Sequence, residues 1–195
     1  ERFEKALASG ADAVILDLED SVSLANKPRA RESVHEFALH HSGETALLIR
    51  INPLASPEFE DDLAALTGLQ PFALMLPKAE GAASVLKLAN SLASAIPILP
   101  IATETPSAIF EIGSYREVSA SLCGLTWGAE DLPAAMGATT ARRTDGRYTP
   151  PYELARSLML FAAQAAAVPA IETVYPDFRD HNGLRAYAGR GRRDG

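Results

Sequence analysis

The sequence predicts an α/β fold, a TIM-type (β/α)8 barrel, and three observations carry that prediction. Short Val/Ile/Leu-rich runs alternate with helical patterns from one end of the chain to the other, which is the order of βα units. Each run is apolar enough to be covered on both faces, as parallel strands are. Polar or charged residues stand at the C-terminal ends of many different runs, at Asp20, Asn52, Lys78, Glu104, Asp131 and Asp177. A barrel brings all its βα loops to one mouth, whereas an open doubly wound sheet gathers them mainly at a switch point, so this distribution favours the barrel.

The elements follow in order. A helix over residues 2–8 is closed by Gly10, and the run AVILDL at 13–18 reads as a buried strand ended by Asp17, Glu19 and Asp20. Pro28 suits the first turn of the next helix, whose apolar face carries Ala30, Val34 and Phe37 at helical spacing. The same grammar predicts strand 46–51 with helix 57–66, strand 72–76 with helix 82–93, strand 98–102 with a short helix 106–112, and strand 122–127. A polar loop at 137–151 then precedes an Ala-rich helix at 152–167, and the last pair is strand 171–175 with a helix near 183–188. Six strands are two short of eight. The chain starts mid-pattern without Met and stops after GRGRRDG, so we expect one barrel domain over 1–195 that lacks the first and last strands.

Bulk properties narrow the function classes. A chain of 195 residues with 47% hydrophobic composition is long enough to bury one core. The excess of 25 acidic over 18 basic residues, a net charge of -7, argues against nucleic acid and against an anionic membrane surface. The single Cys123 has no partner for a disulfide or a thiolate metal site, which suits the cytoplasm. No apolar run approaches the roughly 20 residues that span a bilayer. Neither GxGxxG, a Walker loop, GxSxG nor HExxH occurs, which leaves dinucleotide, nucleoside triphosphate, serine-hydrolase and zinc-protease chemistries without support.

Three strand ends stand out: Arg50 with Asn52 in LLIRINP, Glu104 in PIATETP, and Asp131 in LTWGAEDL. A charge that emerges directly from an apolar strand needs a partner. Two carboxylates from different strands at one mouth form a natural site for a hard divalent cation, with water and substrate oxygens in the remaining positions. The planar fork of Arg50 would grip a carboxylate or a developing oxyanion. The competing reading is an ion pair that closes the mouth without chemistry. In the run Asp17, Leu18, Glu19, Asp20, alternation sets Asp17 and Glu19 on one face; these acids either lie near a metal or simply cap the next helix and pair with Lys27 and Arg31. Lys78 in MLPKAEG is a Schiff-base nucleophile, an anchor or an exposed lysine, and the paired carboxylates favour the anchor. His35, His40, His41 and His181 lie within or before helices and read as solvated surface groups, so no histidine presents itself as a base.

The strand ends together resemble the citrate lyase beta-subunit and malyl-CoA lyase branch of the HpcH/HpaI aldolase superfamily. GADAVILDLEDSV followed by KPRAR, then RIN, LPK, ETP, GAEDL and VYPDFRD occur in that family's order and spacing. The resemblance implies a TIM-type barrel in which Glu104 and Asp131 bind Mg2+, Glu104 and Arg50 meet the substrate, and Glu19 and Asp20 lie near the metal's waters with Arg50 as catalytic groups. It implies cleavage of a 3-hydroxyacyl-CoA thioester of the citryl, malyl or citramalyl type to acetyl-CoA and a 2-oxo acid. It also implies a homo-oligomer, trimer or hexamer, and association with other citrate lyase subunits. Two rivals stand beside it: a class II pyruvate aldolase acting on free hydroxy-oxo acids, which generally carries a histidine where this chain has Asp20, and a non-catalytic acyl-CoA-binding barrel. The basic loop with Arg142, Arg143 and Arg147 either selects the acid, holds the anionic coenzyme or is simply solvated.

Overall fold

The computed structural model describes residues 2–177 and 179–195, so Phe178 of the VYPDFRD segment lies outside the described residues. Among the described residues six parallel strands follow one another in chain order. β1 (Ala13–Asp17), β2 (Ala46–Arg50), β3 (Ala73–Leu76) and β4 (Ile98–Pro100) form one sheet in the order 1-2-3-4, and β5 (Leu125–Thr126) pairs with β6 (Ala170–Ile171). Bridges Ile98 to Leu122 and Ile101 to Thr126 join the two pieces. Each strand therefore lies beside its predecessor with no reversal of order. That is the barrel arrangement and not the doubly wound one.

Strand alternation sorts the side chains into two layers. Val14, Leu16, Leu47, Ile49, Leu74, Leu76 and Ile98 point outward and share one core with Val34, Phe59, Val85, Leu88, Met159 and Ala163 of the covering helices. Leu48, Ala73 and Leu99, with Met75 and Cys123 against them, form a separate inner cluster. The two bridges to β4 are one residue out of step, Ile98 with Leu122 but Ile101 with Thr126. An extra residue of this kind is how a bulge re-aims a strand end.

The helices are α1 (Arg2–Leu7), α2 (Lys27–His40), α3 (Phe59–Ala65), α4 (Ala82–Ser91), α5 (Pro106–Glu111), α6 (Asp131–Ala135), α7 (Pro150–Ala165) and α8 (His181–Asp194). Pro28, Pro106 and Pro150 each open a helix, where the missing N–H costs nothing. Thr105 caps α5 by accepting the Ala108 N–H at 3.1 Å.

Several expectations are corrected. The last strand stops at Ile171 instead of 175, because Glu172 leaves the ladder to collect side-chain donors and the ring of Tyr175 turns onto Tyr187 at 5.4 Å. The charged residue at that strand end is accordingly Glu172, not Asp177, which sits in the following turn and accepts the Arg179 N–H. The terminal GRGRRDG run continues α8 to Asp194 despite Gly189 and Gly191; buried Arg156 bonds Asp194 at 2.8 Å and offsets their poor helix propensity. Residues 112–121, read as connection, form a 3-10 helix that buries Tyr115, and α6 and a 3-10 turn at Leu24–Asn26 were likewise not predicted. His35 and His41 are half-buried instead of solvated, each bonding a backbone carbonyl through a ring nitrogen.

Candidate active site

The register of β1 on β2 makes Asp17 and Arg50 direct neighbours at the ends of their strands. Asp17 takes the guanidinium side-on: Arg50 Nε donates to Oδ1 at 2.7 Å and Nη2 to Oδ2 at 2.5 Å. The Glu19 and Ser21 amides and the Ser21 hydroxyl donate to the same carboxylate. Burial would raise the Asp17 carboxyl, but the bonds from Arg50, Ser21 and Glu19 and the charge of Arg50 hold it at about 2. Burial disfavours the charge on Arg50, and its bond to Asp17 more than restores it. The carboxylate in the Arg50 fork is thus the protein's own. The proposed pairing of the β1 acids with Lys27 and Arg31 is corrected, because those two cations go elsewhere.

Glu19 is buried between two cations: Oε1 accepts from Lys78 Nζ at 2.8 Å, and Oε2 lies 3.0 Å from Arg50 Nη1 as an ion pair outside hydrogen-bond geometry. Burial lifts its carboxyl above the usual range, against the pull of Lys78 and Arg50. Asp20, next along, is exposed at the rim, and its charge acts on both Glu19 and Arg50.

Lys78 follows β3 with φ of 50°, a conformation that non-glycine residues hold only when their surroundings enforce it. Its backbone N–H donates to Glu104 Oε2 at 2.6 Å, while Nζ reaches Glu19 and, at 3.0 Å, Asp131 Oδ2. One residue therefore touches a carboxylate in each of the loop after β1, the loop after β4 and the first turn of α6. This geometry places Lys78 as an anchor among carboxylates.

Glu104 is only 6% exposed. Burial pushes its carboxyl up to about 7; the Lys78 amide pulls it down, and the charge of Asp131 pushes it further up. A buried Glu104 carboxylate made costlier to ionise by the charge of Asp131, with a backbone amide as its hydrogen-bond donor, suits a hard cation. Among the described residues there is no group of three or more His, Cys, Asp or Glu side chains able to hold a metal, so an all-protein cage is not built here. A two-carboxylate site completed by water and substrate oxygens is the arrangement that fits. Glu19 Oε2 is buried and accepts no hydrogen bond; the guanidinium of Arg50, 3.0 Å away, balances its charge. Gly128 lies directly against the Glu104 side chain, and a Cβ there would collide with Cγ. Gly128→Ala is expected to leave the fold and displace Glu104, lowering divalent-cation affinity by roughly tenfold or more, an effect of at least about 1.4 kcal/mol, as read by calorimetric titration.

Behind the mouth stands a buried layer. Lys27 Nζ donates to the Leu18 and Glu19 carbonyls and to Asn52 Oδ1. Asp62, fully buried, accepts the Asn52 N–H and Nδ2, each at 2.7 Å, and Arg31 Nε at 2.8 Å. Arg31 also reaches Glu58. Asp62 was not singled out from sequence, since an acid inside a helix usually reads as surface. On the far side, Glu172 accepts from Trp127 Nε1, Arg156 Nε and the Tyr187 hydroxyl. Its position directly after an apolar run was a usable signal. In the loop after β5, Arg142 stacks on Tyr148 at 4.0 Å and bonds its hydroxyl, and Arg147 pairs with Asp145; Arg143 is exposed.

The fold and the mouth define a parallel (β/α) barrel that gathers carboxylates and cations at the C-terminal ends of its strands. The chain belongs to the HpcH/HpaI aldolase/citrate lyase family, whose model matches residues 2–195. It is similar to a citrate lyase subunit beta-like protein of Mycobacterium tuberculosis, 38% identical over 190 residues that cover 96% of this chain and 65% of that one. The chain thus spans slightly less than two thirds of that relative's length. An L-malyl-CoA/beta-methylmalyl-CoA lyase of Rhodobacter capsulatus is 30% identical over 212 residues, covering 95% and 66% of the two chains. Among solved structures, protein CitE of Mycobacterium tuberculosis in complex with magnesium, acetoacetate and coenzyme A matches with a TM-score of 0.85 and 36% identity, over 97% of this chain and 67% of that one. Among the described residues no helix is long and apolar enough to cross a membrane.

Proposed function

We propose that this chain is the catalytic barrel of a Mg2+-dependent carbon-carbon lyase that cleaves a 3-hydroxyacyl-CoA thioester, of the citryl, malyl or citramalyl type, to acetyl-CoA and a 2-oxo acid. The observation that carries the proposal is the convergence on Lys78, at one mouth, of Glu104 from the loop after β4 and Asp131 from the start of α6. Relatives bearing lyase names and a homologue solved with magnesium, a 3-oxo acid and coenzyme A support the same reading.

Glu104 and Asp131 would hold the Mg2+, which when bound supplies Lewis-acid polarisation of the oxygens of the hydroxyl and adjoining carboxylate. The chain's own residues do the rest. Buried Glu19 holds Lys78 and Arg50 in place at the mouth, and exposed Asp20 keeps the rim acidic. In cleavage the hydroxyl loses its proton, the carbon-carbon bond breaks as the 2-oxo acid carbonyl forms, and the electron pair passes to the thioester's α-carbon, which takes up a proton. Arg50, held at the mouth, faces the oxygen whose charge changes during that transfer. An acyl-CoA substrate, a homo-oligomeric assembly and partnership with other citrate lyase subunits belong to the same reading, as does a cytoplasmic setting.

The test uses the complete protein with citryl-, malyl- and citramalyl-CoA, with and without Mg2+, and follows acetyl-CoA by mass spectrometry. Metal-dependent release from one thioester is expected, with a loss of at least about 100-fold in Asp131→Ala, equivalent to roughly 2.7 kcal/mol of transition-state stabilisation. Release that survives Asp131→Ala unchanged would sink the metal assignment. Cleavage of a free hydroxy-oxo acid in place of any thioester would replace the lyase by an aldolase.

A further inference from the structure

We infer that Asp17 is a positioning residue for Arg50, fixing the guanidinium plane so that the Nη1 edge faces the reacting oxygens; the inference rests on the lyase reading. Arginine on a strand end has several rotatable bonds, and a catalytic guanidinium gains only if its plane is set before the charge develops. Asp17 supplies that constraint through both of its oxygens, Oδ1 to Nε and Oδ2 to Nη2. The strand register makes the two residues direct neighbours, so the pair does not depend on a loop.

The carboxylate is itself immobilised. The Glu19 amide holds Oδ1, and the Ser21 amide and hydroxyl hold Oδ2, so every donor around it comes from the turn that ends β1 or from Arg50. The Nε–H and one of the two Nη2 hydrogens are consumed in this grip. Nη1 remains, 3.0 Å from Glu19 Oε2 without an aligned hydrogen bond. Glu19 backs this edge of the guanidinium with a buried negative charge, while the Arg50 side chain stays 22% exposed. Arg50 meets its substrate through this edge, and Asp17 never touches the substrate. An Asp-Arg pair that served only to hold β1 on β2 would need no such alignment of the unused edge.

The experiment is a double-mutant cycle in the complete protein with Asp17→Asn, Arg50→Lys and both together. Asp17→Asn is expected to lower kcat by about 10- to 100-fold with KM changed less than threefold, Arg50→Lys to lower it further, and the double variant to be no worse than Arg50→Lys alone. Losses that multiply would overturn the inference, since Asp17 would then act independently of Arg50. Ser21→Ala, a gentler change that removes one donor to Oδ2, should give a smaller loss in the same direction even if Asp17→Asn unfolds the protein. A second readout needs no turnover: the Arg50 Nε–H resonance in nitrogen-15 NMR should exchange slowly with solvent in the wild type and quickly in Asp17→Asn and Ser21→Ala. Wild type without turnover but with this protection would defeat the lyase reading and leave the positioning intact; unprotected Nε–H in the wild type would defeat the positioning itself.

Discussion

Glu104→Gln is expected to make the metal-free protein more stable at pH 8 while abolishing its response to Mg2+. The wild-type carboxyl holds its proton to about 7 in the folded chain against an ordinary 4.5. Between those values the folded state binds more protons than the unfolded state, so stability falls as pH rises from 4.5 to 7 and then levels off. The cost at pH 8 is on the order of 3 kcal/mol, and a neutral glutamine does not incur it. Urea unfolding from pH 4 to 8 should therefore show a falling wild-type profile and a flatter one for the variant. Added Mg2+ should raise wild-type stability at pH 8, more weakly as pH drops below 7 because proton and cation compete for one carboxylate, and should leave the variant unmoved. A variant that keeps the wild-type slope would show that Glu104 is not the buried acid, and one still stabilised by Mg2+ would show that the cation sits elsewhere.

The largest loss of stability is expected at Asp62. This carboxylate is fully buried, and it is the shared acceptor of Arg31 Nε, the Asn52 amide and the Asn52 side chain. Asp62→Ala takes the Nε partner from a guanidinium that is itself 7% exposed, leaves the buried Asn52 N–H without an acceptor, and leaves Asn52 Nδ2 with the Leu18 carbonyl alone. Breaking a buried pair from one side costs about 3–5 kcal/mol, a fall in Tm on the order of 10 °C for a domain of this size. Arg31→Met with Asp62→Leu, which removes both charges, should recover part of that loss. A loss below about 1 kcal/mol in Asp62→Ala would mean that Glu58 and Asp61, the other carboxylates beside Arg31, take over its charge. The consequence for the mouth runs through Asn52, which also bonds Lys27 Nζ and the Leu18 carbonyl. Loosening it frees the strand end that carries Glu19.

The barrel and the main cast of the mouth were legible because both depend on local periodicity. Apolar runs of strand length alternate with helical patterns, and a charge at the end of such a run has one place to go, the C-terminal mouth. Arg50, Lys78, Glu104 and Asp131 all follow such runs, and the structure brings them to one mouth. Asp17 and Glu172 were equally close to strand ends, yet their roles depend on which residue the neighbouring strand sets opposite them. Asp62 carried no signal, because its burial comes from α3 packing over the strand ends. The extent of β6 and of α8 was misjudged where tertiary bonds from Glu172 and Asp194 overrode local propensity.

The amino-acid sequence by itself therefore determined the succession of strands and helices and the acids and bases that emerge at the mouth. These follow from the two-residue and 3.6-residue periods of the backbone and from the cost of burying an unpaired charge. Only the tertiary structure decided the pairings: Asp17 with Arg50, Lys78 among three carboxylates, Glu104 against Gly128, and Asp62 beneath Asn52. Strand register and loop geometry set those partners, and both arise from contacts between segments far apart in the chain, which no local pattern encodes.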